Sequence, residues 1–460
     1  MRIAYASPFP PATSGIADYS AELVPALAAA GLAPVLFHEG REPPAEPLCS
    51  RFEVRPVCEL AACAGELDAV VYQLGNSAPH HAEIYRAALT VPGIVVLHEY
   101  MLHHLVSALT LGAGDGEAYV EELRYAAGET GRRAGRRLLD THHPIDPWRF
   151  PLFERAVDRS RGVVVHSRFA ARRILASRAA AAVEVVPFPV DLAVLPEATP
   201  AARRTARAEL GVAAESFLVG TFGLVTPHKR LAPTLAAFAA LRRRRPDAEL
   251  WICGEVSPHF DLPALVREAG VAGVRVTGRL PLARLHAAMC ACDVAVNLRH
   301  PTGGETSASL LRLLGAGVPA IATDSGSFAE IPDGAVAKLT IDEHEEALLA
   351  ALLARLADDA ELRARLGREG RRHVAEAHAL ERSAGAYAAA IARLAARPEP
   401  PPAVAPLAAD AGDDPRLGLV AALGAAVADL GLDERDEAML AALAATVAEL
   451  GWSASGAPRR

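Results

Sequence analysis

Short, wholly apolar segments alternate with amphipathic ones along most of the chain, and that alternation is what limits the fold. "RIAYAS" leads into "IADYSAELVPALAAAG", an apolar-striped segment closed by Gly31, and then into "APVLFHE". "AVVYQLG", "GIVVLHE" and "GVVVHS" repeat the pattern, each short, β-branched and followed by helical periodicity. A strand that is apolar on both faces must be covered on both, and helices between successive strands achieve this over a parallel sheet. The series pauses at "EVVPFPVDLAVLPEATPAARR", which is proline-rich and aperiodic, and restarts with "SFLVGTFGLV", "AELWICGE", "VRVTG", "DVAVNL" and "PAIATD". The pause reads as an interdomain linker over 187–205, between a domain at 1–190 and another at 205–375. Two Rossmann-like, doubly wound parallel-sheet domains should then face a common cleft. Ligands in such sheets bind beyond the carboxyl ends of the strands.

A length of 460 residues exceeds what one ordinary core sustains, in keeping with two domains plus appendages. The net charge of −8 argues against a nucleic-acid partner, whose binding footprint is normally basic. Arginines do cluster at 132–137, 172–173 and 242–245, which reads as solvated helix faces or as a surface for anionic lipid or a phosphorylated substrate. Six cysteines without a CxxC pair suggest free thiols in a reducing compartment. The N-terminus begins at once as a core strand, and no uncharged apolar segment reaches membrane-span length. The expectation is a cytoplasmic protein, with peripheral contact at the inner face of the membrane as its furthest extension. Residues 397–416 read as a Pro/Ala-rich linker, and 417–454 as an α-helical hairpin tail suited to packing or self-association.

Three strand ends carry chemistry. "SPFPPATSGIADYS" places Gly15 in a turn opening a helix, where backbone N–H groups can approach an anion; it is neither GxGxxG nor a Walker A loop. "GTFGLVTPHKRL" sets Lys229 and Arg230 at the expected start of a helix, where the dipole disfavours cations, so a bound diphosphate would supply their reason. "PTGGETSASLL" gathers Gly304, Glu305, Thr306 and Ser307 where a strand ends and a helix begins. Amides there can hold phosphate oxygens while the carboxylate accepts from sugar hydroxyls. "HEYMLHH" fails the zinc pattern HExxH because position 102 is leucine, and no metal site is expected. Asn76, Glu99 and His166, also at strand ends, are candidates for the acceptor side or the hinge.

In order and content these motifs resemble the retaining GT-B glycosyltransferases of family 4, the glycosyl transferases group 1. The resemblance covers most of 1–396 and rests on "SGIADYS", "VVLHE", "HSRF", "GTFGLVTPHKR", "CGE", "VTGRL" and "HPTGGETSASLLRLLGAGVPAIATDSGSFAEI". It implies a GT-B fold with a helix at 376–396 returning to the N-terminal domain. It also implies transfer of a sugar from a nucleotide-diphosphate donor, with retention at the anomeric carbon, to a glycan or lipid-linked acceptor. His98, Lys229 and Glu305 would be catalytic; Gly15, Arg230, Glu255, Gly278, Arg279, Gly304, Thr306, Ser307 and Arg312 would line the donor site. No DxD stands between strands, so no essential metal or other cofactor is expected.

Two departures stand out. The second carboxylate of the family's Glu-x7-Glu motif, a ribose ligand, falls at Arg312, and the arginine usual five residues before the lysine falls at Leu224, with Arg230 as the substitute cation. The alternative expectation is therefore a catalytically degenerate GT-B protein that binds a sugar nucleotide or carbohydrate.

Overall fold

A computed structural model describes residues 1–400 apart from Arg41 and His259. The tail expected at 417–454 and most of the linker before it lie outside the described residues.

Seven strands form the first sheet: β1 (Arg2–Ala6), β2 (Ala33–His38), β3 (Val54–Pro56), β4 (Ala69–Leu74), β5 (Ile94–Leu97), β6 (Gly162–Val165) and β7 (Val183–Val185). Six form the second: β8 (Leu218–Phe222), β9 (Glu249–Cys253), β10 (Val274–Gly278), β11 (Val294–Asn297), β12 (Ala320–Thr323) and β13 (Ala337–Leu339). Every pairing is parallel, in the orders β3-β2-β1-β4-β5-β6-β7 and β10-β9-β8-β11-β12-β13. The central strands are buried along their full length, with β4, β5, β6, β8, β11 and β12 showing no half-exposed position. That double-sided burial is the cause of their unbroken apolar sequences. The order reverses between β1 and β4 in one sheet and between β8 and β11 in the other, so the loops after these strands diverge and leave a crevice.

The linker is shorter than expected. A helix, Pro200–Leu210, starts inside the 187–205 stretch, because Thr199 caps it through Ala202 N–H (3.2 Å) and proline stands at its first position. Near position 190 the connection runs beside the chain's later return: Val190 N–H donates to His378 C=O (2.8 Å) and Leu380 N–H to Val190 C=O (3.1 Å). The final helix, Leu380–Ala395, then packs on the N-terminal lobe, where the hydroxyls of Tyr19 and Tyr387 meet at 2.5 Å. A Cβ on Gly162 of β6 would lie 2.5 Å from Leu394, so helix and strand approach as closely as glycine permits.

The arginine-rich segment Gly116–Thr141 is two antiparallel helices folded at Ala127–Gly128, where Gly128 takes φ +59°. Gly131 and Gly135 let the second leg lie against Leu123 and Val120. Its arginines face local acids: Arg132 and Arg133 pair with Glu129, and Arg136 with Glu117. Among the described residues no helix is long and apolar enough to cross a membrane.

Candidate active site

The two loops flanking the switch point of the second sheet build the C-terminal wall of the cleft. After β8, Gly223 turns with φ +95°, and a Cβ there would meet Lys229 Nζ at 3.1 Å. The chain then makes one 3-10 turn, Pro227–Lys229, which folds the lysine back so that its Nζ donates to Phe222 C=O. Lys229 is only 4% exposed, and burial, followed by the Arg299 charge, holds its ammonium well below the ordinary range, with Glu305 opposing.

After β11 the chain passes Arg299, whose amide is fixed on Thr323 Oγ1 (2.8 Å) and whose Nε lies 3.0 Å from Glu305 Oε1. Glu305 is further held by Gly303 N–H (2.7 Å) and Thr302 Oγ1 (3.0 Å), both on Oε2. Ser307 is the N-cap of the helix Ala308–Gly315, accepting from Leu310 N–H at 3.2 Å. The amides of Thr306, Ser307, Ala308 and Ser309 donate to no described residue, and Thr306 Oγ1 is buried without a partner. Unsatisfied donors at a helix N-terminus, next to a lysine and an arginine, are groups that could hold an anion.

The N-terminal lobe supplies the facing wall. Asn76, after β4, is a cap: its Oδ1 accepts from His104 N–H (2.9 Å) and Leu105 N–H (3.1 Å), while its own amide reaches Glu99 Oε1 (3.3 Å). Glu99, two residues past β5, approaches Glu305 over Gly303. The Cβ position of that glycine is 3.3 Å from Glu99 Oε2 and 3.5 Å from Glu305 Oε2. Burial first, and then the Glu305 charge, push the Glu99 carboxyl up to about 8. His98 Nε2 lies 2.8 Å from Gln73 Oε1, with its ring edge-on to Tyr19 (4.7 Å), and burial keeps it neutral with a pKa well below its ordinary value.

The lobes touch around this cleft. Tyr100 N–H donates to Gly303 C=O (2.8 Å), and Gly304, at φ +77°, presses on the Tyr100 ring where a Cβ would come within 2.5 Å. Glu330 caps the helix Arg168–Ser177 of the opposite lobe through Arg168 N–H (3.1 Å) and Phe169 N–H (2.5 Å). Arg312 pairs with Glu22 of α1 (Gly15–Ala29) at 2.6 Å, and Arg279 comes within 3.9 Å of Asp18. The position that reads as a missing ribose carboxylate is thus occupied by half of an interlobe ion pair.

Several expected residues stand elsewhere. Arg230 is turned out of the cleft: at φ +56° it directs its guanidinium to the buried Glu345, so it does not share the site with Lys229. Arg299 takes that place. The rule that strand ends carry ligand groups, which singled out Glu305, applies equally to this arginine two residues after β11. His166 is 8% exposed, packed between His98 and Phe188 with Nδ1 2.9 Å from Val186 C=O, and so lies behind the cleft wall instead of on the acceptor side. Glu255 is exposed on the rim past β9. Gly15 opens α1 in free space, with nothing within 4 Å of its Cβ position, and Gly278 turns the chain at φ +68° before Arg279.

Two parallel-sheet α/β lobes whose strand ends face one cleft define the GT-B class. Residues 202–373 match the model of the glycosyl transferases group 1. Over 210 residues it is 33% identical to a D-inositol 3-phosphate glycosyltransferase of Paenarthrobacter aurescens, covering 44% of this chain and 49% of that protein. Over 196 residues it is 28% identical to the GDP-mannose-dependent monoacylated alpha-(1-6)-phosphatidylinositol monomannoside mannosyltransferase of Corynebacterium glutamicum, covering 42% and 51%. The chain spans about half the length of these curated relatives. Among solved structures, sucrose-phosphate synthase from Thermosynechococcus elongatus superposes with a TM-score of 0.62 at 18% identity, over 86% of this chain and 99% of that one. Anabaena HepE in complex with UDP gives 0.60 at 16%, over 85% and 100%. At such identities the likeness is one of fold.

Proposed function

We propose that the protein transfers a sugar from a nucleotide-diphosphate donor to a glycan or lipid-linked acceptor, with retention of anomeric configuration and without an essential metal. The observation that carries this reading is the convergence of Lys229, Arg299, the free amides of 306–309 and the Glu305 carboxylate at the switch point of the second sheet. Breaking the bond between the anomeric carbon and the β-phosphate sends its electron pair to the diphosphate. The two cations and the amides stand where that charge would collect. Glu305 would accept from donor-sugar hydroxyls. The acceptor oxygen would bond to the anomeric carbon on the face the phosphate leaves, with its proton passing to the departing phosphate.

One observation favours a second reading, a sugar-nucleotide binder without turnover: where the family's second carboxylate would stand, Arg312 is engaged by Glu22. Thermal-shift screening against nucleoside diphosphates, followed by hydrolysis of the matching donor, decides between them. A ligand that binds only the folded state raises the midpoint by mass action. The transferase reading expects stabilisation of wild type but not of Lys229→Ala, Glu305-dependent donor hydrolysis that survives EDTA, and a product of unchanged anomeric configuration. Stabilisation without turnover on any donor would support the binder.

A further inference from the structure

Across the cleft mouth from Lys229 stands an aromatic residue that the donor chemistry leaves unused. Trp148 belongs to the turn Asp146–Arg149, closed by Arg149 N–H on Asp146 C=O (3.2 Å) and by Trp148 N–H on Asp146 Oδ1 (3.0 Å). The loop is then clamped: His103 Nδ1 lies 2.6 Å from Phe150 C=O, His103 Nε2 lies 2.9 Å from Tyr119 Oη, and Leu102 N–H donates to Pro151 C=O (2.8 Å). Leu152, buried just beyond, holds φ +59°, a left-handed conformation that leucine rarely adopts. This much fixing serves a half-exposed indole outside the apolar core. Its N–H makes no hydrogen bond within the described residues.

The indole meets the opposite lobe edge-on, with its ring centroid 5.1 Å from that of His228. Both neighbouring walls lead inward to the carboxylates. His228 precedes Lys229, and its C=O accepts from His300 N–H (2.9 Å), the residue after Arg299. On the other side, the His104 amide rests on Asn76, whose own amide touches Glu99. His104 lies close enough to His228 for its charge to bear on that imidazole, so the two rings and the indole against His228 are grouped at the cleft mouth. Such a group suits a pyranose ring, whose C–H face stacks on an aromatic while its hydroxyls exchange hydrogen bonds with imidazoles.

We propose that Trp148, His104 and His228 form an acceptor subsite for an uncharged sugar ring, a reading that rests on the transferase assignment above. Burial lowers the pKa of both histidines, His228 further through Arg299, so the walls stay neutral near pH 7. The cation of the turn, Arg149, lies over the Phe150 ring at 5.6 Å. The walls therefore offer hydrogen bonds and an apolar face, and Arg299, whose charge reaches His228, is already paired with Glu305.

The test uses methyl α-D-glucopyranoside and methyl α-D-mannopyranoside as probes, with glucose 1-phosphate as the charged counterpart, titrated into the full chain by calorimetry and tryptophan emission. Saturable binding of a neutral glycoside is expected, with an emission change lost in Trp148→Phe although binding persists, and binding lost in Trp148→Ala. On an active donor, Trp148→Ala should raise the acceptor KM about tenfold, the size of one aromatic contact, with a much smaller change in the donor KM. Equal binding of the glycosides to wild type and Trp148→Ala, or a preference for glucose 1-phosphate, would overturn the subsite. A rise confined to the donor KM would make Trp148 an interlobe strut and overturn it too. Because the titration needs no turnover, loss of the transferase reading leaves this binding result readable by itself.

Discussion

Replacing Arg312 by glutamate would restore the carboxylate that a family-style ribose contact calls for, yet the structure predicts that nucleotide binding weakens. Arg312 and Glu22 lie 2.6 Å apart with side chains 12% and 16% exposed, one in each lobe. At an effective dielectric of about 20, unit charges about 4 Å apart attract by about 4 kcal/mol, and the substitution turns that attraction into repulsion. Desolvation already pushes the Glu22 carboxyl up, and the loss of Arg312 removes the main influence pulling it back. Removing one partner of a buried pair costs about 3–5 kcal/mol, and part of this is relieved if the lobes separate and rehydrate both carboxylates. Taking about 3 kcal/mol as the penalty on the closed arrangement, its population relative to open forms falls roughly 150-fold. Small-angle scattering should then report a larger radius of gyration, and the dissociation constant for the best nucleoside diphosphate should rise in proportion to the closed fraction lost, by up to about two orders of magnitude. Glu22→Arg alone should behave alike, and the double exchange should restore most of the closure. If Arg312→Glu keeps the scattering profile and binds nucleotide more tightly than wild type, the pair is not what holds the lobes and the reasoning fails.

Other outcomes follow from the same geometry. Glu99 is raised to about 8 in the fold, so the folded state holds a proton that the unfolded chain has released. Its contribution to stability is full below the ordinary carboxylate range and is lost as pH rises from about 4.5 to about 8, so Glu99→Gln should flatten the thermal midpoint across that window; an unchanged difference curve would refute the assignment. Arg299→Met should weaken diphosphate binding by about tenfold or more, while Arg230→Ala should lower the midpoint through its lost Glu345 partner and hardly alter affinity; calorimetry on both variants checks the contrast. Gly304→Ala forces a Cβ toward the Tyr100 ring from a left-handed backbone and should cost about 1–3 kcal/mol in denaturant melts, part of it recovered in a Tyr100→Ala background.

The sheets were legible because strands buried on both faces have nowhere to place polar residues: β5 reads Ile-Val-Val-Leu and β6 Gly-Val-Val-Val. Lys229 stands out because a cation beside an expected helix start conflicts with the dipole, and Glu305 because groups past the carboxyl ends of strands face the ligand crevice. What stayed hidden depends on contacts between distant segments. Arg312 and Glu22 are 290 positions apart, and each alone looks like a charge on an amphipathic helix. Arg230 before a helix and Arg299 after a strand both look like cleft cations, and only the place of Glu345 decides which one faces away. His166 reads as a cleft residue because it follows β6, yet the helix Leu380–Ala395 and Phe188 cover it. The fold in Gly116–Thr141 was masked because Gly128 sits inside a segment of otherwise helical character.

The last described helix closes the core of the first lobe, and this orders events during synthesis. Tyr387, Ile391 and Leu394 are fully or almost fully buried, and Leu394 fills the space above Gly162 on β6. A ribosome must therefore make the entire second lobe before the first can be finished. Until then the nascent N-terminal sheet carries an uncovered apolar strip, a surface open to chaperones or to premature contacts with neighbouring chains. The second lobe interrupts the first, and translation stopping just short of residue 380 would release a chain with all of the described strands but without this lid.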